Sequence, residues 1–182
     1  MATVGGNLFN QPPYGDFSVA LLALNAKVKI QSASSERVVD LNEFMTGGRQ
    51  LEAKELVTEI QIPNQSGQAA FTKFGPRQGS AATIVSVAAH IDASDGVVNV
   101  ARVALGGADT TARRSLEAES VLNNAPFWPQ EKADALAAEA AAAAAEASDP
   151  ISNAVASAWY RRQMIEVQLK RLLSELLGSF SA

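Results

Sequence analysis

The side chains in this sequence best suited to chemistry are few: a glycine pair near its start, one aspartate, one lysine and one histidine. In "TVGGN", Gly5 and Gly6 allow a backbone to approach a phosphate closely and aim N–H groups at it, and they equally suit a tight turn. Neither a Rossmann fingerprint nor a Walker loop surrounds them. Asp16 precedes an apolar run, so its carboxylate either caps a helix or accepts hydrogen bonds from ligand hydroxyls. Lys73, in "AFTKF", is either an exposed strand lysine or a ligand contact. His90 shares a strand face with Ser86, has no general base near it in sequence, and reads as structural. The pairs Arg113-Arg114 and Arg161-Arg162 read as solvated helix faces. Nothing resembles a nucleophile elbow, so Ser-His-Asp catalysis has no support and no residue is assigned as a general acid or base.

Composition narrows the classes further. The formal net charge of −4 argues against a nucleic-acid surface, which needs clustered Lys and Arg. With no cysteine there is no disulfide, thiolate metal site, iron–sulfur ligand or Cys nucleophile, and one His is too few for multi-His zinc sites. No metal site is expected. No apolar run is long enough to span a bilayer, and the first residues lack a basic and apolar secretory leader. The expected location is the cytoplasm. An apolar share of 47% over 182 residues suits one packed domain or two small ones.

The elements that must hold these side chains follow from periodicity. "DFSVALLAL", from Asp16, predicts a short buried helix capped by Asp16, and "AKVKIQS" a half-buried strand with Val28 and Ile30 inward. "SSERVVDLNEF" reads as strand then turn, and "GGRQLEAKEL" as a surface loop. "ELVTEIQIP" predicts a strand with Leu56, Thr58, Ile60 and Ile62 on one face. The polar "NQSGQ" reads as a flexible boundary, dividing the chain into residues 1–66 and 67–182. Beyond it "AAFTKFGPR" predicts a strand, and Asp95-Gly96 between alternating runs a hairpin. Three helices follow: "TTARRSLEAESVLNN", the alanine-rich "PQEKADALAAEAAAAAAEAS", and roughly Asn153 to Leu177 with Ile165, Leu169, Leu172 and Leu176 as its stripe. The second half is therefore an α+β layer, a small antiparallel sheet packed with helices.

In combination these segments resemble the FAD-binding medium subunit of the molybdenum hydroxylases, the family of xanthine dehydrogenase and aerobic carbon monoxide dehydrogenase. The pattern is Thr3, an apolar Val4, Gly5-Gly6-Asn7, and then Asp16 opening a helix. "ERVVDLNEFMTGGRQ", "IVSVAAHID", "VARVALGGADTTARR" and "PISNAVASAWYRRQMIEVQLKRLL" continue it in order. The resemblance implies that residues 1–66 are the second lobe of a two-lobed flavin-binding domain and residues 67–182 the C-terminal α+β domain. It implies that Thr3, Val4, Gly5, Gly6 and Asn7 lie along the FAD diphosphate and ribityl chain. Asp16 accepts from a flavin hydroxyl or nearby amide, Val57 sits beside the isoalloxazine ring, and Lys73 lies near the flavin's polar edge or its acceptor side.

The implied activity is electron transfer from [2Fe–2S] clusters on a small subunit, reduced by a molybdenum cofactor on a large subunit, through FAD to an external acceptor. The implied partners are those two subunits and a first flavin lobe, with its own glycine-rich loop, that should precede Thr3. That lobe is expected either upstream or as a separate chain sharing one FAD. The alternative is a non-catalytic docking module that binds no FAD without the first lobe. One departure stands out: Asn153 and Val155 occupy places where the family pattern carries Asp and Arg.

Overall fold

The computed structural model describes residues 3–11, 13–76 and 82–180. Its first element is a single helical turn, α1 (Val4–Leu8), opened by Thr3, whose Oγ1 accepts the Gly6 N–H at 3.0 Å. The glycine pair thus sits inside a capped helical turn. Helix α2 (Asp16–Ala23) begins after Gly15, whose φ of 97° favours glycine. Asp16 is therefore the first helical residue and not the cap, which corrects the sequence expectation.

Strand β1 (Lys27–Gln31) is the centre of a three-stranded antiparallel sheet, flanked by β2 (Glu36–Asp40) and β3 (Leu56–Gln61). Val28 and Ile30 are buried, as their alternation requires. Two sequence expectations fail in this sheet. The turn after β2 is a helix, α3 (Leu41–Thr46): Asp40 accepts the Asn42 and Glu43 N–H groups, and Glu43 stands at the third helical position of a capping pattern. The face Leu56, Thr58, Ile60, Ile62 is also broken. The register passes from Lys29↔Glu59 to Ile30↔Val57, a bulge at Thr58 that flips the alternation. Val57 and Ile60 pack against the core instead, while Leu56 and Ile62 stay exposed.

The linker "NQSGQ" is tied down. Gln65 donates to Leu24 O at 3.1 Å and accepts from Arg102 at 2.8 Å, and Ser66 donates to Asp92 at 2.9 Å. A Cβ at Gly67 would lie 2.3 Å from Ile91 O, so only glycine fits where the linker crosses the next sheet.

That sheet runs β4 (Gln68–Phe74), β5 (Val85–Ser94), β6 (Val97–Gly106) and β7 (Arg113–Arg114), all antiparallel. Asp95 (φ 53°) and Gly96 (φ 71°) turn the β5–β6 hairpin in the positive-φ geometry of a tight two-residue turn. Both faces of β5 are covered. Val85, Val87, Ala89 and Ile91 join the core built with α4 (Leu116–Leu122), α5 (Gln130–Glu146) and α6 (Ala158–Gly178). Ala88 and Ala104 face the other way, into the cluster of α2. Small residues are required there: a Cβ at Gly106 would fall 2.7 Å from Val19 Cγ2 and 2.4 Å from Ser86 Oγ. In α5 the alanines Ala133, Ala137, Ala140 and Ala144 are the buried face, so helix propensity and close packing coincide. In α6 the buried stripe is Ile165, Leu169, Leu172 and Leu176, as its spacing requires.

Arg113, Arg114 and Arg161 depart from the solvated helix faces expected of both pairs, whereas Arg162 is exposed on α6 as expected. Arg113-Arg114 forms the edge strand β7, and the Ser115 N–H bonds Val103 O at 2.8 Å before Ser115 caps α4. Arg161 is only 2% exposed. The last helix also begins later than the pattern suggests, because Asn153 accepts the Val155 and Ala156 N–H groups and holds a turn that Ser157 then caps. No described helix is long and apolar enough to cross a membrane.

Candidate functional site

The first turn of α1 and the bulged strand β3 face one another across an open groove of about 470 Å³, lined by Thr3, Val4, Gly5, Val57, Thr58, Glu59 and Ile60. Four of the expected site residues thus meet, the consecutive Thr3, Val4 and Gly5 with the distant Val57. The groove's polar side comes from the start of the helical turn. Thr3 Oγ1 accepts the Gly6 N–H at 3.0 Å and Thr3 O the Asn7 N–H at 3.1 Å, and among the described residues the Val4 and Gly5 N–H groups have no partner. A Cβ at Gly5 would meet nothing within 4 Å, so its backbone is open to close approach. The apolar side is the exposed part of Val57 and Ile60, which also pack against the core.

The rim carries one carboxylate. Hydrogen bonds from Gln61 and from the Lys29 ammonium hold Glu59 below the usual carboxylate range. Lys29 lies 3.2 Å from Glu36 and 3.4 Å from Glu59, and the bond to Glu36 does most to raise its own pKa. Thr58 and Glu59 were missed by sequence reasoning. Their signal was the strand itself, but the bulge that exposes them is a tertiary feature.

Asp16 and Lys73 form a second cluster. Lys73 Nζ lies 2.7 Å from Asp16 Oδ2, and the buried Thr83 hydroxyl donates to Asp16 Oδ1 at 2.9 Å. Asp16 and Lys73 come from α2 and β4, and Thr83 lies just before β5, so the pair bridges the first helix layer and the second sheet. Asn7 links the two clusters: its Oδ1 accepts the Ser18 N–H at 3.2 Å, fixing α1 against the first turn of α2. Gly6 and Asn7 belong to the α1 turn without lining the groove. Thr83, two residues before β5, carried no sequence signal for its role.

His90 is buried behind this layer, with Nδ1 3.4 Å from Arg102 Nη1. Burial and then the Arg102 charge push its pKa down, so it is a neutral structural residue. Arg161 donates to Ile84 O, to Ile151 O at 3.1 Å and to Asn153 Oδ1 at 2.9 Å. Among the described residues no group of acidic or His side chains is arranged to hold a metal ion.

Among the described residues, the groove lining holds one titratable side chain, Glu59. Residues 69–176 match the family model described as the CO dehydrogenase flavoprotein C-terminal domain, and residues 1–65 match the FAD binding domain in molybdopterin dehydrogenase. This chain belongs to the CO dehydrogenase flavoprotein family. It is 30% identical over 175 residues to the nicotine 6-hydroxylase medium subunit of Paenarthrobacter nicotinovorans, covering 95% of this chain and 60% of that one. It is 29% identical to the xanthine dehydrogenase FAD-binding subunit of Escherichia coli O157:H7, covering 98% and 61%. Among solved structures it superimposes on reconstituted CO dehydrogenase from Oligotropha carboxidovorans with a TM-score of 0.85 and 25% identity, over 99% of this chain and 62% of that one. Quinoline 2-oxidoreductase from Pseudomonas putida 86 gives 0.83 and 25%, over 97% and 61%. The chain thus spans about three fifths of these relatives' length. The Asn153 side-chain oxygen accepts from the Arg161 guanidinium at 2.9 Å.

Proposed function

We propose that this chain is part of an FAD-binding electron-transfer subunit of a molybdenum hydroxylase complex. In this reading residues 1–66 are the second lobe of the flavin domain, residues 67–182 are the C-terminal α+β domain, and a first lobe completes the site. The single observation that carries it is the convergence of Thr3, Val4 and Gly5 with Val57 on one groove. The groove's volume falls within the roughly 300–1,000 Å³ of small-molecule sites, and it opens on one side, as a cleft closed by a second lobe requires.

The donor set fits FAD. The free Val4 and Gly5 N–H groups suit phosphate or ribityl oxygens, and Val57 offers an apolar surface to one face of a flat ring. Gly6 and Asn7 set the pitch of that turn, the Asn7 carboxamide by its bond to Ser18. Asp16 and Lys73, already paired, present a charge-balanced polar edge. FAD when bound supplies the redox chemistry, and the chain's own part is to bind, orient and exclude water. Partners of the complex, in this reading, are an iron–sulfur small subunit holding [2Fe–2S] clusters and a large subunit holding the molybdenum cofactor. The acceptor of the electrons is external, and the location is the cytoplasm.

The test is FAD binding by the purified chain, followed by absorbance and flavin fluorescence. Saturable uptake is expected, weakened at least tenfold by Val57→Asp. A colourless protein that takes up no added FAD sinks independent flavin binding, and the docking-module reading then takes its place.

A further inference from the structure

A small cavity of about 50 Å³ lies away from the groove, lined by Pro13, Gly107, Asp109, Ile151, Asn153 and Arg161. Its chemistry is set by Arg161, which is 2% exposed. The guanidinium has five N–H donors. Three are taken, by Ile84 O, Ile151 O and Asn153 Oδ1. All three acceptors are neutral, and among the described residues Arg161 forms no ion pair. A buried charge of this kind is costly unless a counter-charge meets it. Asp109 also lines the cavity, but its carboxylate is engaged by Arg113 Nε at 3.4 Å and by the Thr110 N–H at 2.6 Å. Gly107, with φ of 74°, brings its backbone against Arg161: a Cβ there would lie 3.4 Å from Nη1 and 2.5 Å from Ile84 O. The Gly107 backbone therefore packs against Ile84 O beside the guanidinium, and two guanidinium N–H groups have no partner among the described residues.

We propose that this cavity binds one small monovalent anion of carboxylate size, with Arg161 as its cationic partner. The volume admits a group such as formate. Asn153 holds the guanidinium in place through Oδ1, which also accepts the Val155 and Ala156 N–H groups. The neutral amide there leaves the positive charge for the anion. Asp109 opposes binding and sets its weakness.

Sodium formate is the probe, and the readout is the thermal unfolding midpoint of the full chain across a formate titration at constant ionic strength. A ligand of the native state raises the midpoint in a saturable way. In the wild type a saturable rise is expected. Asn153→Asp places a carboxylate against Arg161 from within, so its midpoint starts higher and loses the formate response. Asp109→Asn removes the opposing charge, so half-saturation moves to formate concentrations about threefold lower or less. An equal formate response in wild type and Asn153→Asp overturns the proposal, because the effect then belongs to the general surface. A midpoint that does not respond, or that rises without saturating, overturns it as well.

Discussion

The two sheets of this protein are finished to different degrees. In the four-stranded sheet, β5 has helices on both faces, and its residues from Val85 to Ile91 are all buried. In the three-stranded sheet, β3 keeps only Val57 and Ile60 partly covered, and Leu56 is 68% exposed. Val4, Val38 and Ile62 are exposed around it. The central strand of the first region spends its apolar residues on its own core. The second region buries Val28 and Ile30 but leaves Val57 and Ile60 at the groove beside Val4 and Gly5. The proposed binding site lies where packing is incomplete, and the fully packed sheet lies away from it.

That contrast can be broken by mutation. The largest effect is expected in the helix layer: Leu169→Ala removes a fully buried side chain and should cost about 2–5 kcal/mol, read by urea unfolding. Leu56→Ala in the same assay should stay within about 0.5 kcal/mol. Equal costs would show that the exposed strand is as structurally committed as the core. Next, Gly106→Val should cost about 1–3 kcal/mol, because its Cβ collides with Val19 and Ser86 and prises α2 from the sheet. A neutral Gly106→Val would mean that the two layers are not closely packed.

The Asp16–Lys73 pair is partly exposed, at 26% and 35% of the side chains, so Lys73→Ala should cost less than about 1 kcal/mol and less still in high salt. A larger loss would make the pair a structural clamp more than a polar edge awaiting a ligand. The smallest effect at neutral pH is that of His90. Its folded pKa lies below the unfolded value of 6.5, from burial and then from Arg102. The unfolded state therefore binds the proton first, and stability falls as pH drops below about 6.5, levelling once the folded pKa is passed. His90→Gln should flatten that part of the stability–pH curve, with no difference in slope above pH 7.

Local patterns made much of this legible. The α6 stripe, the Asp95-Gly96 hairpin and the alternation of Val28 and Ile30 are short-range signals, and each formed as its spacing required. Signals that depend on competition were misread. Arg113-Arg114 looked helical by continuity with "SLEAES", but edge pairing with β6 took their backbone first. Arg161 looked like a solvated face because nothing in the sequence shows that three carbonyl-type acceptors converge on it.

By itself the sequence determined the helices and strands whose periodicity is unbroken, the α+β class, the absence of thiol and iron–sulfur chemistry, and a family pattern running from Thr3 through the last helix. Only the tertiary structure decided that Val57 faces Thr3, Val4 and Gly5, since a one-residue bulge at Thr58 reverses the face of β3 and no local pattern encodes it. Only the tertiary structure decided that Asp16 answers Lys73 and Thr83 instead of capping its own helix. The physical reason is common to both. Periodicity reports one segment's preference, whereas a groove or an ion pair exists only where separate segments, each with its own preference, are forced into contact by a shared core.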